Sequence, residues 1–253
     1  MNLKLLKKLP IGEIRYFETI GSTNDEALAW ATQGAPDLSL VIADEQTTGR
    51  GRLNRKWFTP KGTALALSLI IHPTDLTHLS RTVGLAALSI ADACLKYGLS
   101  PQVKWPNDIL LSGKKVAGIL IETVWSGDKV DSLVIGMGIN VHKESVPPDE
   151  ELKFPATSLE TELGQDQERE DFLYEILKAF INHRSQIGTK SFISAWENLL
   201  AFRNDQVQIQ SETEKPVYGQ LLGLETDGSL RILDAHGKTI SIRFGDVSLR
   251  ALA

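Results

Sequence analysis

Gly49-Arg50-Gly51-Arg52-Leu53-Asn54-Arg55-Lys56-Trp57, followed shortly by Thr63-Ala64-Leu65-Ala66-Leu67-Ser68-Leu69-Ile70-Ile71, is the stretch from which the rest of the chain can be read. The second run is almost continuously apolar and reads as a largely buried strand. The first holds four cationic side chains and no acid, in a protein of formal net charge -5. Gly49 and Gly51 leave the backbone bare, and Asn54 enters the left-handed region more cheaply than most residues. Such a loop repels itself unless an anion settles in it, and bare N–H groups with guanidinium forks suit phosphate and carboxylate. Trp57 adds a flat face for a heteroaromatic ring. The loop therefore reads as a cover for a nucleotide or an acyl phosphate. The plainer alternative is a solvated basic turn, or a patch that holds nucleic acid.

Composition narrows the choice. At 253 residues the chain suits one large domain, or a main domain with a small appendage. Hydrophobic content of 42% and charged content of 23% are ordinary for a soluble globular enzyme. A pI of about 5.6 argues against nucleic acid as the main partner. The single cysteine, Cys94, excludes an intramolecular disulfide framework and a thiolate metal cluster, and it falls in an apolar-periodic segment, as a core residue would. No apolar run approaches a membrane span, and residues 1–10 lack the apolar core of a secretory signal, so a cytoplasmic protein is expected.

Working outward from the loop, residues 14–19 read as a strand, and Gly21-Ser22-Thr23-Asn24 opens a helix through Trp30 that Ser22 or Thr23 can cap. Residues 38–43 form a short β run just before the loop. Leu79, Val83, Ala86, Ile90 and Tyr97 recur at helical spacing, closed by Gly98. Strands are expected at 102–105, 115–124 and 130–139, with turns at Ser112-Gly113 and Ser126-Gly127-Asp128. Two core-covering helices are expected near 172–181 and 192–202. From Asn204 short β patterns at 207–210, 217–225, 229–233 and 239–244 suggest a small barrel or sandwich that must dock on the main body, since it is marginal alone. The class is a mixed α/β domain, 1–203, with an all-β appendage, 204–253.

Other segments carry chemistry. In Lys104-Trp105-Pro106-Asn107-Asp108, Pro106 ends a strand and aims Asn107 and Asp108 into whatever cleft lies there; a capped turn is the plainer reading. In Gly113-Lys114-Lys115-Val116-Ala117-Gly118-Ile119-Leu120-Ile121-Glu122 the spacing is wrong for a Walker motif. Lys115 instead starts an apolar strand, with Gly118 leaving room for a ligand beside it. Gly136-Met137-Gly138-Ile139-Asn140 is a strand end with two positions free of side chains.

Taken in order, Gly21-Ser22-Thr23-Asn24, Glu45-Gln46-Thr47-Thr48-Gly49-Arg50-Gly51-Arg52, the Lys104 to Asp108 segment, Lys115-Val116-Ala117-Gly118-Ile119-Leu120 and Gly136-Met137-Gly138-Ile139-Asn140 resemble the signature set of the biotin protein ligases. The resemblance implies a catalytic core like that of class II aminoacyl-tRNA synthetases, followed by an SH3-like barrel. It implies a two-step reaction, in which biotin and Mg-ATP (hence Mg²⁺) give biotinyl-5′-adenylate and a lysine of a biotin carboxyl carrier protein then takes the biotin. On this resemblance Ser22, Thr23, Asn24 and Gln46 hold the ring of biotin, with Gly118 beside it. Arg50, Gly51 and Arg52 close over the carboxylate and the α-phosphate, and Lys115 meets the same groups. Trp57 stacks on adenine, with Arg55, Asn107, Asp108, Asn140 and Arg250 around the nucleotide. Arg250 enters through Ser248-Leu249-Arg250, which resembles the family's terminal arginine motif.

Asn54 stands where many members of that family have Gly. The chain begins almost at the catalytic core, so the monofunctional type, without a winged-helix DNA-binding domain, is expected. Neither nucleic acid nor a membrane is expected as a partner. Relatives dimerise through sheet edges in several cases, and an exposed edge strand would permit a homodimer here. Lipoate protein ligases share the fold and the adenylation logic and are the nearest rival; a non-catalytic ligand sensor or a nucleic-acid-binding module is the rival from another class.

Overall fold

The computed structural model describes residues 1–148, 150, 152, 154–211, 215–243 and 247–251, with 211 and 247–251 described as backbone only. The main sheet takes β1 (Ile14–Ile20), β2 (Ser39–Gln46), β3 (Ala64–Ile71), β4 (Pro101–Lys104), β5 (Asp108–Leu111), β6 (Lys114–Ser126) and β7 (Lys129–Asn140) in the order β1-β2-β3-β7-β6-β5-β4. Only β1 and β2 run parallel; every other neighbouring pair is antiparallel. Among the described residues five α-helices surround it: α1 (Thr23–Thr32), α2 (Thr82–Lys96), α3 (Leu159–Leu163), α4 (Arg169–Arg184) and α5 (Lys190–Asn198).

β3 is buried along its whole length because both faces of the sheet are covered there. Leu65, Leu67 and Leu69 point into the main core with α2 and α4, while Ile70 joins Ala27, Trp30 and Ala31 of α1 on the opposite face. That alternation is the period-2 geometry of a strand applied to a run that is apolar at nearly every position. α2 is buried over most of its surface, and at Gly84 the indole of Trp196 from α5 comes so close that a Cβ would lie 2.4 Å from it.

Several expectations need adjusting. Residues 76–81 form a 3-10 turn capped by Asp75, so the long helix starts at Thr82 rather than at Leu79. Residues 108–111, of which the sequence places only Asp108 in a possible turn, add the strand β5 and pair with both β4 and β6. Ser22 stands at the N-cap of α1 but its side chain makes no capping hydrogen bond; the first amide of the helix, Thr23 N, donates to Gln46 Oε1 at 2.8 Å instead. The helix end is thus satisfied from across the sheet.

The C-terminal strands β8 (Gln206–Ser211), β9 (Val217–Leu224), β10 (Leu230–Leu233), β11 (Thr239–Ile242) and β12 (Val247–Ala251) form an antiparallel sheet in the order β11-β10-β9-β8-β12. Among the described residues this sheet is open, where the resemblance implies a closed barrel. Phe244, the last residue of the expected fourth strand, lies outside the described residues. The sheet docks on the main body, as its size requires. Trp105 Nε1 donates to Gly228 O at 3.1 Å, Arg81 Nε to Thr226 O at 2.7 Å, and Leu224 N to Glu197 Oε2 at 2.7 Å. Among the described residues no helix is long and apolar enough to cross a membrane.

Candidate active site

A cavity of about 820 Å³ opens on the face of the main sheet that carries α1. Its floor is made of glycines. Gly118 on β6, and Gly136 and Gly138 on β7, leave the strands bare, and each faces something that needs the space. A Cβ on Gly136 would lie 2.3 Å from Asn24 Oδ1, and one on Gly138 2.3 Å from the indole of Trp57. One on Gly118 would lie 3.2 Å from both Lys115 Nζ and Trp57.

At one end the polar side chains form a closed network. Asn24 Nδ2 donates to Glu122 Oε2 at 2.6 Å, and its Oδ1 accepts from Ser68 Oγ at 2.5 Å. Thr23 Oγ1 lies 2.8 Å from Ser68 Oγ and 3.0 Å from Gln46 Oε1, and Gln46 Nε2 reaches Thr59 Oγ1 at 3.4 Å. Ser22, Thr23 and Asn24 are all buried. Fixed donors and acceptors on rigid elements suit a polar ring with its own N–H and C=O groups.

A second part of the lining is cationic and meets that network at Arg50, whose Nη1 reaches Ser22 Oγ at 3.4 Å. Residues 49–57 close on themselves through Trp57 N to Gly49 O at 2.8 Å, Gly51 N to Arg55 O at 2.7 Å, and an antiparallel bridge between Arg50 and Lys56. The tip turns through two left-handed residues, Leu53 at φ 58° and Asn54 at φ 54°. Asn54 suits that region, whereas Leu53 holds it at a cost of about 1 kcal/mol. Arg52 Nη1 reaches Asn107 Oδ1 at 3.5 Å, and Asn107 Nδ2 donates to Ile119 O at 2.8 Å. Lys115 Nζ is 2.6 Å from Asp108 Oδ1 and 5.4 Å from the centre of the Trp57 ring. Asn140 is buried and donates to Thr157 O at 3.0 Å. The indole Nε1 of Trp57 is buried and has no hydrogen-bond partner among the described residues.

The cavity therefore gathers Ser22, Thr23, Asn24, Gln46, Arg50, Gly51, Arg52, Arg55, Trp57, Asn107, Asp108, Lys115, Gly118 and Asn140. The Arg250 side chain lies outside the described residues. Arg50 is not presented to the cavity as an open charge. Its guanidinium lies 2.6 Å from Asp25 Oδ1 and 3.1 Å from each oxygen of Glu122. Burial alone would lower its pKa, but hydrogen bonds to Glu122 and Asp25 outweigh that and raise it. Four contributors escaped the sequence reading. Ser68 and Glu122 had a signal, each being polar within an apolar strand. Lys104, buried with Nζ 3.7 Å above the Phe154 ring, was named only as part of the segment that ends at Asp108, and Phe154 had no signal, because their meeting depends on the path of a loop.

Comparison with known proteins decides the family. The model of the Biotin/lipoate A/B protein ligase family matches residues 16–140. The biotin–[acetyl-CoA-carboxylase] ligase of Paracoccus denitrificans is 33% identical over 230 residues, which cover 87% of this chain and 93% of that protein. The chain belongs to the biotin protein ligase family. A bifunctional ligase/repressor of Bacillus spizizenii is 34% identical over 227 residues, 88% of this chain and 70% of that one. Among solved structures, the biotin protein ligase of Aquifex aeolicus in complex with biotin and ATP superposes with a TM-score of 0.82 at 30% identity, over 95% of this chain and 99% of that one. The matched span of the family model runs from β1 to the end of β7 and so contains the glycine floor, the network and the basic loop.

Among the described residues no group of three or more His, Cys, Asp or Glu could hold a metal ion. Asp108 and Glu122 both face the cavity region, each already beside a cation. This donor set fits Mg²⁺ carried on nucleotide phosphates rather than in a protein cage.

Proposed function

We propose that this biotin protein ligase activates biotin with Mg-ATP and passes it to a specific lysine of a biotin carboxyl carrier protein. The observation that carries the reading is a glycine-floored cavity lined by the buried Ser22, Thr23 and Asn24, by Gln46, and by the cationic loop with Trp57. Its volume is in the range of roughly 300–1,000 Å³ usual for small-ligand sites.

In the first step a carboxylate oxygen of biotin attacks the α-phosphorus of ATP, the bond to the β-phosphate breaks and pyrophosphate leaves. Two anions must be brought together, and charge builds on the α-phosphate. Arg52 and Lys115 are the donors placed to meet that charge, with the N–H groups around Gly51. Asn107 steadies Arg52, Asp108 steadies Lys115, and Mg²⁺ supplies further neutralisation when bound with the nucleotide. Trp57, Arg55 and Asn140 border the adenine side, and Arg250 is assigned there on resemblance alone. In the second step the acceptor amine attacks the acyl carbon, the bond to the AMP oxygen breaks, and the amine gives up a proton. No protein nucleophile is required. The basic loop keeps water from the mixed anhydride in between. Residues 1–203 would be the catalytic unit and 204–253 an SH3-like appendage; Gln210 and Pro216 of the latter border the cavity.

Pyrophosphate release from Mg-ATP without acceptor, with biotin, with lipoate and with neither, tests the reading. A burst near one equivalent per chain with biotin alone is expected. A burst with lipoate would move the chain to the lipoate branch of its family, and silence with both would refute adenylation.

A further inference from the structure

We propose that Glu122, together with Arg50, is a positioning pair that fixes the root of the basic loop and orients the Asn24 amide for the biotin end of the cavity; the assignment of that end rests on the ligase reading. Glu122 lies on the same face of β6 as Gly118 and Leu120, four and two residues after them, so its carboxylate stands at the edge of the floor. A carboxylate only accepts hydrogen bonds, so the Asn24 amide must turn its Nδ2 toward it, at 2.6 Å, which leaves Oδ1 to Ser68. The same carboxylate takes Arg50 Nη2 on both oxygens at 3.1 Å. Arg50 sits where the loop leaves Gly49 and bridges to Lys56, so holding its side chain holds the base of the whole hairpin. Asp25 completes the set at 2.6 Å, but its side chain is 57% exposed against 29% for Glu122, so solvent weakens its share. Arg50 and Glu122 thus act by placing the loop and Asn24.

The experiment compares the full chain with Glu122→Gln, Arg50→Gln, their double variant and Glu122→Asp, by two readouts. The first is KM for biotin against kcat in acceptor-free pyrophosphate release. The second is the rate at which trypsin cuts the ligand-free loop at residues 52–56. Glu122→Gln is expected to raise KM for biotin about tenfold, the scale of a charged hydrogen bond, with little change in kcat. Glu122→Asp, which keeps the charge, should recover part of that loss. The double variant should lose less than the product of the two single losses, because the Arg50 link is shared, while the Asn24 link belongs to Glu122 alone. Loop cleavage should quicken in Glu122→Gln while cuts elsewhere in the chain keep their rates. A wild-type KM and cleavage rate in Glu122→Gln, an Asp variant as poor as Gln, or effects that multiply in the double variant would overturn the proposal. If the parent chain releases no pyrophosphate with biotin, the ligase reading fails by itself, and the trypsin rates alone decide whether the pair holds the loop.

Discussion

One strand, β7, has two faces that do opposite work. Toward α2 and α4 it presents Leu133, Ile135, Met137 and Ile139, all part of the main core. Toward α1 and the basic loop it presents Val134, which packs with Trp30 and Ala31, and then Gly136, Gly138 and Asn140. The first face is filled with methyl groups and makes the strand rigid. The second gives up side chains and accepts the weaker strand propensity of glycine in return for a flat floor. The difference teaches that the site is not a gap left between elements. It is a deliberately emptied face of a strand whose other face holds the sheet together. Polar contacts divide in the same way. On the helix-covered side Asp44 of β2 accepts from Tyr16 Oη and from Arg169 Nη1, the latter at 2.8 Å. On the open side the network of Asn24, Ser68, Glu122 and Gln46 borders the cavity.

The sharpest break of this division is Gly138→Val. The new branches would collide with Trp57, since even a Cβ falls within 2.3 Å of the indole. Biotin-dependent pyrophosphate release should fall by more than about 10²-fold, the scale set by displacing a reacting group by an ångström, while circular dichroism stays native. Wild-type turnover would mean that the floor is not where the ligands lie. Next is Ile135→Ala, one residue from Gly136 and three from Gly138 but on the other face, fully buried. It should cost about 3 kcal/mol in urea unfolding and leave KM for biotin and ATP unchanged below the transition. A changed KM would show that the two faces are coupled.

The smallest effect is expected from Asp44→Asn, about 1–2 kcal/mol at neutral pH with unaltered KM values. Burial pushes the Asp44 carboxyl up, but hydrogen bonds from Tyr16 and Arg169 outweigh it and hold it below its ordinary 3.8. A carboxyl lowered by folding stabilises the protein above its unfolded value and stops doing so as pH falls through its folded value. Stability of the Asn variant and of the parent should therefore converge as pH drops below about 3.8, and a gap that persists in stronger acid would contradict the assignment. The same contact pushes the Tyr16 hydroxyl up to about 12, with its hydrogen bond to Asp44 the leading cause, so Tyr16 remains the donor throughout the working range.

Much of this division was legible in the sequence. Polar residues and glycines interrupt otherwise apolar strands at Ser68, Lys115, Gly118, Glu122, Gly136 and Gly138, and a residue that breaks a strand's pattern has to face something. The long helices and strands followed from periodicity. What stayed hidden were short elements and distant meetings. β5 has only four residues between Pro106 and Ser112, and α3 only five, too few for a period to register. The pairing of Arg50 with Glu122 joins residues 72 apart, so the loop looked like a set of open cations when one of them was already held. Leu53 at positive φ carries no signal at all, since leucine is not selected for that region.

The most direct test of the central claim is to incubate the chain with biotin and Mg-ATP, remove free ligand by gel filtration, and identify what stays bound by mass spectrometry. The account expects close to one equivalent of biotinyl-adenylate per chain, and almost none in Gly138→Val. Recovery of an empty parent chain, or of an adenylate equally well retained by the valine variant, would contradict it.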